Sequence, residues 1–327
     1  MTLVLSRTDV LDLLSLPECI DAVERAFRLH AEGDTLGPGV LSVHATGGGF
    51  HIKAAGLVGE RSYFAAKTNA NFSDNPRRWG LPTIQGTIVL ADAANGTPLA
   101  VMDSASVTAL RTGAATAVAA KFLARPDAST ATVVGCGVQG EVQLAAVAAV
   151  LPLRRIMLVD IDHTRAEDLA ARAAARHGVR VEPAKDLRSA LRASDVCVTC
   201  TTSRRAFLGA RDVAPGTFIA AVGADNPEKQ ELEPSLLASA TLVVDVLHQC
   251  AEIGELHHAL AAGVLTPERV HAELADVVAG RRPGRRSRDE ITIFDSSGTA
   301  LQDVAAAVAV YEKASASGRG TVVKLDA

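Results

Sequence analysis

Apolar residues along the chain follow one period and then another, and the changes of period mark its elements. From Pro17 to Glu32 they return every three to four positions, as on a helix with one buried face. The following segments alternate apolar with polar or small residues, so strands are expected at Gly39 to Ala45, Phe50 to Ala55, Tyr63 to Asn69 and Thr83 to Ala91. AANGTP at 93–98 carries an Asn95-Gly96 pair that accepts the left-handed backbone of a hairpin turn. An alanine-rich helix follows from about Ser106 to Leu123, and ARPDAST at 124–130 reads as a linker.

From Ala131 onward short apolar runs alternate with helical patterns. Strands are expected at Ala131 to Val134, Ile156 to Asp160, Val179 to Val181, Val196 to Thr199, Phe218 to Val222 and Leu242 to Val244. One intervening helix runs from Thr164 to His177, with Thr164 and Glu167 as a capping box and Gly178 as its stop. Such alternation predicts an α/β fold built on a doubly wound parallel sheet. A last helix, about Thr299 to Ala316, lies beyond that sheet and is free to return to the first domain.

At 327 residues the chain is long enough for two domains, and 48% hydrophobic with 21% charged residues is an ordinary globular composition. A net charge of −4 argues against a nucleic-acid partner. The basic run RRPGRRSR at 281–288 contains Pro283 and Gly284 and no aromatic residue for base stacking, so it reads as a solvated loop. No apolar run approaches the roughly 20 residues of a membrane span, and no basic-then-apolar leader opens the chain. No membrane partner is therefore expected, and the cytoplasm is the expected compartment. Five cysteines are odd in number and scattered. Cys197 and Cys200 form a CxxC, but DVCVTCTT alternates like a strand and would point them to opposite faces, so neither a redox pair nor a metal site is expected.

The densest chemical signal is VVGCGVQGEVQ at 133–143, with Gly135, Gly137 and Gly140 between an apolar strand and the periodic segment Val142 to Val150. Strand, glycine turn and helix in that order form a dinucleotide cradle. Gly135 makes the turn, Gly137 lets backbone approach a pyrophosphate, and Gly140 lets helix and strand pack closely. Free N–H groups at the helix start then face the anion. Asp160 ends the next strand, 25 residues after Gly135, where a carboxylate takes the ribose hydroxyls of NAD and repels the extra phosphate of NADP. The second half is accordingly expected to be a Rossmann-type domain that binds NAD.

AAKTNANF at 65–72, ALRTGAATAVAAKFL at 109–123, VVGCGVQGEVQ, AVGADNPEKQEL at 221–232 and the ending IFDSSGTALQDVAAA at 293–307 resemble the ornithine cyclodeaminase/mu-crystallin family in order and spacing. The resemblance implies a homodimer. In it, 1–125, completed by 299–327, forms an α+β substrate-binding and dimerisation domain, and 126–298 forms the NAD-binding Rossmann domain. It also implies one shared hydride step at a carbon bearing nitrogen, on a small amino or imino acid. By that match Arg111 binds the substrate carboxylate, Lys67 is the active-site lysine and Asp225 is the general acid/base. Physical reasons agree: Arg111 offers a planar fork to a carboxylate. Lysine is scarce, seven against 26 arginines, yet Lys53 and Lys67 lie in apolar strand-like stretches where a buried ammonium needs an anion. A Lys53 pointing outward from its strand is the alternative there. Asp225 follows the strand FIAAVG, at the end where Rossmann ligands bind. The cofactor-binding set is completed by Val138 and Gln139 in the loop and by Thr83, Thr112, Thr199, Thr201, Val222, Lys229 and Ser296.

Two departures shift the expected substrate. Cyclodeaminases of this family carry an arginine on the strand matching GVLSVHA and a glutamate two residues before a Met-Pro pair, for the distal amine of ornithine. Here the first position is Val40, and in FHIKAA the glutamate is replaced by His51 and the methionine by Lys53. With His44, His51 and Lys53 in the substrate-binding set, a cationic pocket suits anionic or neutral side chains. The expected activity is that of an NAD(H)-dependent imine reductase or amino-acid dehydrogenase acting on a small 2-imino or 2-amino acid, with dicarboxylic acids among the candidates. The alternatives are an ornithine cyclodeaminase and, from another class, a cofactor-holding binding protein like mu-crystallin.

Overall fold

The computed structural model describes residues 1–325 except Ala175 and His177. The chain opens with β1 (Thr2–Leu5), α1 (Arg7–Leu13) and α2 (Leu16–Glu32). There follow β2 (Thr35–Ala45), β3 (Gly48–Leu57), β4 (Tyr63–Asn71), α3 (Asn75–Trp79), β5 (Ile84–Asp92), β6 (Pro98–Asp103) and α4 (Ser104–Leu123). Next come β7 (Thr130–Val134), α5 (Val138–Val150), β8 (Arg155–Val159), α6 (His163–Ala173), β9 (Arg180–Pro183), α7 (Leu187–Arg192), β10 (Val196–Thr199), β11 (Arg204–Leu208) and β12 (Phe218–Ala221). β13 (Gln230–Leu232), α8 (Pro234–Ser239), β14 (Thr241–Val244), α9 (Leu247–Ile253), α10 (Glu255–Ala261), β15 (Ala272–Glu273), α11 (Leu274–Val278) and β16 (Thr292–Asp295) lead to α12 (Ala300–Ser317) and β17 (Thr321–Val323). Among the described residues no helix is long and apolar enough to cross a membrane.

These elements gather into two compact units, Met1–Arg111 with Thr299–Ala327, and Thr112–Gly298. The division runs through α4, ahead of the compositional linker at 124–130.

The first unit is a seven-stranded sheet in the order β17-β1-β6-β5-β4-β3-β2, an antiparallel meander from β2 to β6 extended by β1 parallel to β6. Alternation sorts its faces. Tyr63, Ala65, Lys67 and Asn69 of β4 are buried, whereas Phe64 and Thr68 between them are exposed. On the buried side Ile88, Leu90 and Met102 form the core with Val23 and Phe27 of α2 and with the apolar α12, which packs across β3 and β4. Gly96, in the expected hairpin turn, has φ +77°.

The second unit holds an eight-stranded parallel sheet in the order β15-β14-β16-β12-β10-β7-β8-β9. Starting from β9, the first five positions follow the 3-2-1-4-5 order of a dinucleotide-binding sheet; the sixth is taken by β16, the last of these strands along the chain, with β14 and β15 beyond it. The direction of winding reverses between β7 and β10, so a crevice opens outside the carboxyl ends of those strands.

Two local expectations are corrected. The α6 N-cap is Asp162 rather than Thr164: its carboxylate accepts from the Thr164 amide at 3.2 Å and from its hydroxyl, so that hydroxyl is spent as a donor. α6 ends at Ala173, and the expected end at His177 lies outside the described residues. The 281–288 loop is anchored as well as solvated. Arg285 is half-buried and donates to the Leu123 carbonyl at 2.8 Å and to Thr292 Oγ1 at 2.9 Å, while Arg288 pairs with Asp127 at 2.7 Å.

Candidate functional site

In the second unit each glycine of the loop between β7 and α5 meets a different constraint. Gly135 has φ +101°, and a Cβ on it would lie 2.9 Å from the Cys200 carbonyl oxygen. A Cβ on Gly140 would lie 2.1 Å from the Gly135 carbonyl oxygen, so only glycine lets α5 start this close to β7. Gly137 is the N-cap of α5, without a side-chain capping bond, and a Cβ there would meet nothing within 4 Å. The helix start therefore presents unsatisfied N–H groups beside open space, which is what a pyrophosphate requires. Val138 beside it is 75% exposed, and Gln139 accepts from Gln143 at 3.4 Å.

Most other second-unit candidates follow the carboxyl ends of strands in the same sheet. Asp160 follows β8, its Oδ2 accepting from the Cys136 amide at 2.7 Å and its Oδ1 from the Asp162 amide at 2.9 Å. Thr199 ends β10 and Val222 follows β12, the Val222 amide donating to the Thr199 carbonyl at 2.9 Å. Ser296 follows β16 with a buried hydroxyl, and Thr112 is buried on α4. Asp225 stands half-exposed in the turn after β12, with Lys229 Nζ 2.7 Å from its Oδ1 and Asn226 Nδ2 donating to the same oxygen at 3.2 Å.

This edge rests on buried carboxylates that sequence reasoning missed. Glu231 accepts from Thr199 Oγ1 at 2.7 Å, from the Thr201 amide and hydroxyl at 2.6 Å each, and from the Gly223 amide at 3.0 Å. It thereby ties the loop after β10 to the turn leading to Asp225. Glu255 accepts from the Glu231 and Leu232 amides, and Asp295 from the Glu255 and Leu256 amides. Burial, with the charges of Asp295 and Glu231, pushes the Glu255 carboxyl up to about 9, and burial lifts Asp295 to about 7. Cys197 and Cys200 are both free; the Cys200 thiol donates to the Gly135 carbonyl at 3.2 Å, and burial pushes it up.

The first unit gathers the cations. Lys53 of β3 and Lys67 of β4 are register partners, so both side chains leave the same face, where they are 6% and 2% exposed. Arg111, on α4, is 5% exposed. The anion beside Lys67 is Asp303 of α12: Lys67 Nζ donates to its Oδ1 at 2.7 Å, and Arg111 Nε lies 3.0 Å from the same oxygen. Arg111 Nη1 donates to Gln302 Oε1 at 2.7 Å. Burial drives the Lys67 ammonium down to about 7, with Arg111 and Lys53 adding to the fall and Asp303 opposing it. Burial raises Asp303, but the adjacent charges of Lys67 and Arg111 outweigh that and hold it below the usual carboxylate range. The available signal for Gln302 and Asp303 was a polar pair in the first turn of the otherwise apolar ALQDVAAAVAV. His51 lies two residues before Lys53 on the same face of β3 and shares a 3.1 Å hydrogen bond with Ser42. His44 is exposed near the end of β2, and Thr83 precedes β5, its carbonyl accepting from the Phe72 amide.

A glycine cradle on a sheet of this strand order defines an α/β protein of the dinucleotide-binding class. The chain belongs to the ornithine cyclodeaminase/mu-crystallin family, whose profile matches residues 1–318. It is similar to an archaeal alanine dehydrogenase solved as a dimer with bound NAD, with 39% identity and a TM-score of 0.94 over 99% of both chains. A Thermococcus litoralis Δ1-pyrroline-2-carboxylate reductase, solved with NADH and L-proline, is 33% identical with a TM-score of 0.94, covering 98% of this chain and 100% of that one. The iminosuccinate reductase of Paracoccus denitrificans, solved with NAD+, is 31% identical with a TM-score of 0.89 over 99% of both.

Proposed function

We propose that this protein is an NAD(H)-dependent oxidoreductase that reduces a small 2-imino acid, or oxidises the matching 2-amino acid, at the α-carbon. The observation that carries this reading is the buried pair Arg111 and Lys67 set against Asp303: two cations share one carboxylate, and a substrate carboxylate completes the balance. Relatives named for alanine, pyrroline carboxylate and iminosuccinate share that α-carboxylate chemistry.

Residues 126–298 serve as the cofactor domain, and 1–125 with 299–327 as the substrate and dimerisation domain. The uncapped α5 start and the open Gly137 fit the pyrophosphate, and Asp160 fits the ribose of NAD. When bound, the nicotinamide supplies or accepts the hydride. Arg111 and Lys67 clamp the carboxylate and so orient the α-carbon. Asp225 exchanges the proton on the substrate nitrogen, and Lys229 at 2.7 Å keeps its carboxylate in place until substrate arrives. Lys53, opposite Lys67, adds a cation suited to a second carboxylate, and with His51 it makes a poor seat for the distal ammonium of ornithine.

Dimerisation fits the solvent-facing side of the first unit's sheet, where Leu41, Val43, Phe50, Phe64 and Val89 are each at least 37% exposed. Five free cysteines agree with a cytoplasmic, reducing compartment. The test is NADH consumption with a panel of 2-oxo acids, with and without a second carboxylate, in the presence of ammonia or methylamine. Consumption is expected. Absence of consumption with every acid sinks the reading, and efficient proline formation from ornithine replaces it with a cyclodeaminase.

A further inference from the structure

Arg111 and Lys67, both assigned above to carboxylate binding, lean on one residue of α12, Asp303. We propose that Asp303 is the positioning residue of the site, holding Arg111 and Lys67 side by side so that an incoming carboxylate meets a preset pair, with Gln302 fixing the rotation of the guanidinium. The proposal rests on the oxidoreductase reading, but its lysine titration does not depend on turnover.

Arg111 and Lys67 come from different elements, α4 and β4, and both are nearly fully buried. Two adjacent buried cations repel each other and lose their hydration, and without a counter-charge they would move apart or lose a proton. Asp303 supplies that charge to both at once, 2.7 Å from Lys67 Nζ and 3.0 Å from Arg111 Nε. Its own carboxylate is supported by its place in the first turn of α12, whose N-cap Thr299 accepts from the Leu301 amide. Gln302 accepts from Arg111 Nη1 at 2.7 Å and Asp303 Oδ1 lies 3.0 Å from Nε as an ion pair, so consecutive residues of one helix face the guanidinium.

The Gln302 amide carries a second, independent sign of a ligand. Because its oxygen must face the Arg111 donor, its Nε2 is fixed as a donor. That nitrogen is buried and finds no acceptor among the described residues. A buried N–H without an acceptor is costly, and a carboxylate held by Arg111 and Lys67 would supply one.

The charged and titratable groups facing Asp303 come from four elements: Lys53 on β3, Lys67 on β4, Arg111 on α4 and Cys19 on α2. The Cys19 thiol is pushed up to about 12 by burial and stays neutral across the working range, so Lys67, down at about 7, is the responsive member. Asp303 opposes that fall. Its removal therefore lowers Lys67 further, and the ammonium is lost at a lower pH.

The experiment uses the full chain with nitrogen-15 lysine. Seven lysines make the spectrum tractable, and Lys67→Met assigns the resonance. The Lys67 midpoint should fall by at least about one unit in Asp303→Asn, and Asp303→Glu, which keeps the charge, should largely restore it. In parallel, KM for the imino acid should rise roughly tenfold or more in Asp303→Asn while NADH affinity stays unchanged. A Lys67 midpoint that does not move in folded Asp303→Asn overturns the proposal. If Asp303→Asn does not fold, Asp303→Glu decides: displacing the carboxylate by one methylene should raise KM several-fold, and an unchanged KM overturns it. The lysine titration needs no turnover, so a protein that reduces no imino acid defeats the functional reading and leaves this result to be read separately.

Discussion

Replacing Gly137 and Gly140 one at a time by alanine separates what the fold needs from what a ligand needs. At Gly140 the new methyl would stand 2.1 Å from the Gly135 carbonyl oxygen, more than an ångström inside ordinary contact, and both sides of the clash are backbone. Relief requires α5 to move off β7. Overpacking of that kind costs about 1–3 kcal/mol, and a unit of this size loses roughly 2–4 °C of Tm per kcal/mol. At Gly137 the methyl meets no protein atom within 4 Å, so stability should change by less than about 0.5 kcal/mol. The same methyl would nevertheless occupy the space a pyrophosphate needs, so Kd for NADH should rise at least tenfold, about 1.4 kcal/mol. Thermal unfolding and an NADH fluorescence titration on both variants give the four values. If Gly137→Ala keeps the unmodified affinity, the pyrophosphate does not lie against this loop. If Gly140→Ala keeps the unmodified Tm, the close helix approach is not a constraint.

Asp160→Ala should erode a preference for NADH over NADPH, read as the ratio of kcat/KM values; equal use of both cofactors by the unmodified protein would count against that assignment. Asp225→Asn should keep NADH affinity and lose roughly 10² to 10⁴-fold in turnover, and near-normal turnover would remove its proton-transfer role. Lys53→Met should lower kcat/KM for a dicarboxylic substrate by roughly 10 to 100-fold and spare alanine-sized ones, whereas an equal effect on both would move Lys53 to the shared α-carboxylate. Glu255, raised by burial from 4.5 to about 9, binds a proton in the folded chain that it has lost in the unfolded one. The stability this gives is complete below pH 4.5 and is lost as pH rises through about 9, so Tm should fall between pH 7 and 9.5 by the equivalent of about 1–3 kcal/mol. Glu255→Gln should flatten that slope, and an unchanged slope would show that Glu255 is already ionised at pH 7.

What could be read along the chain was whatever depends on near neighbours. The meander strands β2 to β5, the strands β7 to β10, β12 and β14, the Asn95-Gly96 turn and the glycine loop each follow from a few consecutive residues and lie about where the pattern puts them, whereas β1, β6, β15, β16 and β17 went unread. Spacing could also anticipate that a buried lysine needs an anion. It could not name that anion, because Lys67 and Asp303 meet only through the packing of α12 on β4. The α6 cap failed for a local reason: Asp162 and Thr164 both suit the role, and the carboxylate is the stronger acceptor. The carboxylates beneath the second unit's edge, Glu231, Glu255 and Asp295, come from three separate segments and look like surface acids until their burial is known.

The return of the chain to the first unit has a consequence for the order of events on the ribosome. β1 is flanked in its sheet by β6 and β17, and Arg111 and Lys67 share the carboxylate of Asp303 on α12, so the first unit is completed by a segment made after the whole of the second. Between Arg111 and Thr299 the whole of Thr112–Gly298 must be made, which at about 5–20 residues per second takes roughly 10–40 s. Throughout that interval the two cations lack their carboxylate and are best kept hydrated, which holds the N-terminal segment short of its final packing. The second unit, contiguous in sequence, has no such delay and is expected to fold first although it is made later. A nascent chain stopped before α12 would thus carry the second unit but not the cluster of Lys67, Arg111 and Asp303.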